Sequence, residues 1–122
     1  MTRIPEEDRD LIEKAMYLPM VVVILEKDFK VIEKAPFKLR QPYLDLVDET
    51  LRAVQRDLKG VKDQMRKKQM KVQQTSHDES FTQFSFIWKG YEEKHNYFNP
   101  AIRNRVEALL NYYLKKIKTP LT

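Results

Sequence analysis

Glu92 and His95 stand three residues apart, the spacing with which a helix aims a carboxylate and an imidazole at one metal ion. Helical di-iron carboxylate sites need two such pairs and two further glutamates from other helices. The chain holds only two histidines, and His77 has no glutamate three residues before it. Glu92 and His95 are therefore expected to be ordinary polar residues and not metal ligands. Ser76, His77 and Asp78 supply the residue types of a hydrolase triad, but triad members meet from separated positions, whereas neighbours on a loop point apart. No glycine-flanked nucleophile accompanies them, so a polar turn is the simpler reading. Two glycines in all, Gly60 and Gly90, rule out a phosphate-cradling loop, and the absence of cysteine removes thiol nucleophiles, thiolate zinc sites and disulfides. No catalytic, cofactor-binding or metal-ligating residue is assigned, and the expectation is a protein that is not an enzyme.

Two groups of residues could instead make contacts. Between Lys59 and Lys71 six basic residues oppose one acid, Asp63, a local net charge of +5 that equals the excess of the whole chain. On a helix, Lys59, Lys62, Arg66 and, marginally, Lys67 fall outside the apolar seam and form a cationic face. Cations at a helix C-terminus also offset the dipole by about 0.3–1 kcal/mol each, which explains the run without any ligand. The alternative is an anion or nucleic-acid contact made by Lys59, Lys62, Arg66 and Lys67, joined by Arg103 and Arg105. No helix-turn-helix spacing, zinc finger or RNA-binding signature accompanies the charge. The second group is aromatic: seven rings crowd Phe81 to Phe98. Most should be core, but Phe86, Trp88 and Tyr91 cannot all be covered by a single helix layer and are candidates for partner docking.

The elements that must position these residues are mainly helical. Pro5, Pro42 and Pro100 each precede a periodic apolar segment, where a proline costs least because its missing N–H would be unpaired anyway. Asn99 adds a capping side chain, and Glu6, Glu7 and Asp8 suit the positive end of a helix. The first helix is predicted over about 5–32, with Leu11, Ala15, Leu18, Val22, Leu25, Phe29 and Ile32 alternating by four and three. The second, about 42–69, repeats the rhythm from Leu44 to Met65. Residues 33–41 make a short connection, so the two seams are expected to face each other as a long antiparallel hairpin. The first helix is also apolar outside its seam, which predicts cover on more than one side. Pro19 should kink it, and a short strand over 20–25 is the rival reading. In the segment 70–97, alternation through Phe84, Phe86 and Trp88 favours a β-hairpin, with 71–75 pairing across a turn at 77–80; one helical face through Phe81, Phe84, Trp88 and Tyr91 is the alternative. A last helix over about 100–117 should cover the first.

A chain of 122 residues is one domain with one core. Its longest apolar stretch, Ala15 to Leu25, falls short of the roughly 20 residues a membrane span needs, and it follows an acidic segment where a signal peptide would be basic. A cytoplasmic protein without membrane contact is expected.

The stretches PEEDRDLIEKAMYLPM, PFKLRQPYLDLVDETL and KGYEEKHNYFNPAIRNRVEALL together resemble the YhjD-type proteins, a small uncharacterised family of Bacillus and its relatives. The likeness covers nearly the whole chain. It implies a cytoplasmic or spore-forming Bacillus context, and it transfers no activity, cofactor or residue role to any position.

The seams are longer than one small core requires, which points to a non-enzymatic interaction protein that self-associates, most simply as a dimer. Leu at the a positions with Val at d is not the parallel-dimer preference, so whole hairpins packing side by side or antiparallel are expected. A nucleic-acid-binding accessory protein is the second reading, and a metal-dependent enzyme built on Glu92 and His95 the last.

Overall fold

The computed structural model describes residues 3–116. Helix α1 (Glu6–Lys34) turns back through a short connection into helix α2 (Gln41–Lys67). Three strands follow, β1 (Met70–His77), β2 (Phe81–Trp88) and β3 (Tyr91–Phe98), before helix α3 (Asn99–Lys116). The strands form one antiparallel sheet in sequential order.

The two seams meet as predicted. Leu18 and Leu25 of α1 and Val47, Val54, Val61 and Met65 of α2 are buried, and Val22, Phe29, Leu51 and Leu58 pack against them half-buried. Alternate four- and three-residue spacing keeps one stripe of each helix facing the other, so burial continues along the pair. Thr50 lies on the same stripe with no exposure, tolerated there because its hydroxyl donates to the carbonyl of Leu46 at 2.6 Å. The connection is closed by Arg40, whose guanidinium donates to the Ala35 carbonyl at 3.2 Å, and by the rings of Phe37 and Tyr43, 5.1 Å apart.

Helix α1 is covered on three sides up to about Leu25. Ile12, Met16, Tyr17 and Val21, all outside the seam, are buried because the sheet and α3 lie over them. Full burial of a side chain such as Ile12 or Val21 contributes about 1.5–3 kcal/mol. The helix runs unbroken through Pro19, so the strand considered for residues 20–25 does not form: Val21 and Leu25 are buried on helical faces, and packing on several sides outweighs one missing backbone bond.

The segment before α3 holds three strands where the sequence suggests a hairpin. The expected pairing is present, with Lys71 opposite Ile87, Val72 opposite Phe86 and Gln74 opposite Phe84, and β3 adds a third strand with Phe86 opposite Glu93 and Trp88 opposite Tyr91. Lys89 and Gly90, with φ of 48° and 84°, make the two-residue left-handed turn that a tight hairpin requires. The turn at 78–80 is set by Asp78, whose Oδ1 accepts from the amides of Ser80 and Phe81 at 2.8 and 2.7 Å. The inner face of the sheet carries Met70, Val72, Phe84, Phe86 and Tyr97 toward α1. Asn99 bonds the Thr82 hydroxyl and the Asp78 carbonyl, so its side chain ties α3 to the sheet. Helix α3 is described to Lys116; Ile117, the last residue of the predicted helix, lies outside the described residues.

Candidate functional site

The metal-type spacing of Glu92 and His95 is cancelled by local structure. In a strand, positions three apart point to opposite faces. Glu92 accepts from the Ser85 hydroxyl on the outer face, while His95 on the inner face meets Glu93 at 3.0 Å and lies against the ring of Phe86. Among the described residues no three His, Asp or Glu side chains converge as metal ligands. Asp78 is held below the usual carboxylate range by the amides of Phe81 and Ser80, and His77 meets Gln74 at 3.3 Å. Ser76 and His77 end strand β1 and only Asp78 enters the turn, with its carboxylate committed to backbone amides.

The aromatic candidates separate. Phe86 is fully buried on the inner face of the central strand, which corrects its expected place on a docking surface. Trp88 and Tyr91 stack at 6.3 Å on one face, because the tight turn sets them directly across from one another. Trp88 is half-buried and Tyr91 exposed. Arg3 lies over the Tyr91 ring at 5.3 Å and Lys89 over the Trp88 ring at 5.2 Å.

The basic candidates also divide into two places. Lys59, Lys62, Arg66 and Lys67 are exposed at the end of α2. Lys62 and Arg66 share a groove with Lys71 of β1, floored by Ala15, Met65, Met70 and Val72. Arg66 reaches Asp63 at 3.3 Å, and Lys68 reaches Asp8 at 2.9 Å. Among the described residues no carboxylate lies within ion-pair distance of Lys59, Lys62, Lys67 or Lys71. Arg103 instead lines a groove of about 480 Å³ between α1 and α3, with Met20, Ile24, Ile102 and Val106. Arg105 is near enough to Tyr17 to act on its hydroxyl electrostatically. The two α3 arginines are thus not part of the basic groove at the α2–β1 corner.

One surface was not foreseen residue by residue. Among the described residues no hydrogen bond or ion pair joins Glu26–Lys34 or Gln41–Leu51 to the sheet or to α3, and the groove along them is lined by α1 and α2 alone, which marks this part of the hairpin as a two-helix arm. Six of the ten exposed large apolar side chains of the described residues lie on or beside it: Val23, Val31, Phe37, Leu39, Tyr43 and Leu46, with Leu39 72% and Val31 65% exposed. A groove of about 540 Å³ runs along the arm over Val23, Phe29 and Leu51. Six acidic residues oppose five basic ones between Glu26 and Leu51, so the arm is close to neutral. Apolar residues outside the heptad positions of α1 and α2 were the available signal, and only the placement of the sheet and α3 decides which of them stay uncovered.

Among the described residues no helix is long and apolar enough to cross a membrane. No solved structure matches the chain. A relative in Bacillus subtilis (strain 168), named there "Uncharacterized protein YhjD", is 45% identical over 114 residues, covering 93% of this chain and 95% of its own length. The family model described as "YhjD protein" matches residues 3–118, and the chain belongs to the YhjD family.

Proposed function

We propose that the protein is a non-enzymatic interaction module that self-associates through the α1–α2 arm. The observation that carries this reading is the set of uncovered apolar side chains on the arm, from Val23 to Leu46. An apolar surface of this kind, rimmed by charge, is where soluble proteins find partners. The near-neutrality of the arm supports a second copy as the partner, since two arms meet with little net repulsion while the basic corners stay apart. Side-by-side arms would bring four helices together, an arrangement in which each exposed stripe gains a neighbour. The nucleic-acid reading draws less support, because Arg103 lines a different groove and Arg105 lies near Tyr17, both apart from the basic groove of Lys62 and Arg66.

Light scattering after size exclusion tests the proposal. A species near twice 14.7 kDa is expected for the wild type, and Val31→Glu with Leu39→Glu should return it to monomer without loss of helical signal. A wild-type monomer at high micromolar concentration would remove the reading. Because the chain has no cysteine, single cysteines placed at Leu39 or Leu46 should cross-link copies, while one at Lys94 should not.

A further inference from the structure

We propose that the free edge of β1 is a docking site for a short, extended acidic segment of a protein partner, which would add to the sheet as a fourth strand. This inference is independent of self-association through the arm. Strand β1 is an edge of the sheet, and Lys71 and Gln73 to His77 are exposed along it. An edge strand presents N–H and C=O groups that have no partner in the sheet, and an added peptide backbone satisfies both kinds. Two grooves of about 290 and 360 Å³ adjoin this edge and share Ala15, Val72 and Gln73. The first is walled by Pro19, Met20 and Val23 of α1, giving alternate side chains of an added strand an apolar floor. The second is rimmed by Lys62 and Lys71 and by Arg66, which already reaches Asp63. This gives the added strand's carboxylates a cationic wall of which Lys62 and Lys71 have no ion pair among the described residues.

Charge selects the occupant. A second copy paired β1 to β1 would bring these three cations against their own duplicates, whereas an acidic strand is complementary to them. Phosphate groups only accept hydrogen bonds and so cannot answer the carbonyls of the edge, and the one ring that lines the two grooves, Phe84, is buried and offers no open face on which a base could stack. Lys71 and the irregular register between Gln74 and Ser76 protect the edge from indiscriminate pairing. The same features restrict an added strand to the length of Met70–Gln74 and to acidic sequence.

Fluorescence anisotropy with a labelled peptide of alternating Glu and Val, six residues long, tests the site on the full chain. Saturable binding is expected, weakened at least tenfold by Lys62→Glu with Arg66→Glu, or by Lys71→Glu should the double variant lose its thermal transition. Amide exchange over residues 71–74 should slow when the peptide is bound. A peptide of alternating Lys and Val should not bind. The proposal is overturned if the acidic peptide fails to bind, if exchange in β1 is unchanged, or if a twelve-residue thymidine oligonucleotide binds more tightly than the peptide.

Discussion

The indole Nε1 of Trp88 donates a 2.9 Å hydrogen bond to Oδ2 of Asp8, a residue 80 positions earlier in the chain. The other oxygen of Asp8 accepts from Lys68 Nζ, also at 2.9 Å. One carboxylate, 9% exposed, thus fastens the start of α1 to the end of α2 and to the last residue of β2. Two charge-assisted or ring N–H donors satisfy it, which is what makes its burial tolerable.

Replacing Asp8 with Ala should lower stability by about 1–3 kcal/mol, through the loss of two hydrogen bonds to a charged group, one of them from the half-buried indole of Trp88. Trp88 is the single tryptophan, so the emission reports the surroundings of this one ring. A red shift in native Asp8→Ala, with helical signal retained, is expected; an unchanged spectrum would show that the bond does not hold the ring.

Stability should fall at both ends of the pH scale. Lys68 and then Trp88 hold the Asp8 carboxyl below its usual 3.8. The folded protein therefore releases this proton more readily than the unfolded chain, so the stabilisation is complete above about pH 4 and is lost as pH falls through the folded value. At the alkaline end, burial and then the carboxylates of Glu13 and Asp57 raise the hydroxyls of Tyr97 and Tyr113 well above their usual 10. The unfolded chain then ionises first, and stability declines above about pH 10. Denaturant midpoints measured from pH 3 to 11 should form a plateau with two shoulders, and Asp8→Asn should flatten the acidic one.

The two glycines should respond oppositely to alanine. Gly60 lies in α2, and a methyl group there meets nothing within 4 Å, so Gly60→Ala should stabilise by about 0.5–1 kcal/mol. Gly90 also has open space, but its φ of 84° strains any side chain, so Gly90→Ala should destabilise by about 1 kcal/mol or more. Thermal melts of the two variants check the sign of each.

Val54 has no exposure at the centre of the α1–α2 seam. Val54→Asp buries an unpaired carboxylate, a change in the class that costs more than about 4 kcal/mol. Loss of the cooperative melt is expected by circular dichroism, and a normally folded variant would contradict the seam.

Much of this was legible in the residues. Regular four-and-three spacing identified both long helices, because a helix repeats every 3.6 residues and each stripe needs a partner stripe. The hairpin from Lys71 to Trp88 followed from β-forming residues in alternation. Strand β3 was missed because YEEKHNYF is too polar to read as a buried strand. Its inner-facing Tyr91, Glu93, His95 and Tyr97 alternate regularly, and Lys89–Gly90 was the turn that could have revealed it.

The chain itself determined which segments become helices, where the basic run falls, and that no cysteine or phosphate loop contributes chemistry, since these depend on residue type and local spacing. Tertiary structure alone decided how those residues are shared out. It committed Phe86 to the core, set Glu92 and His95 on opposite faces, and separated Arg103 from Lys62 and Arg66. It left the arm and the β1 edge uncovered because the sheet and α3 pack on one end of the hairpin. Exposure is a property of what packs on a residue, and those neighbours come from distant parts of the chain.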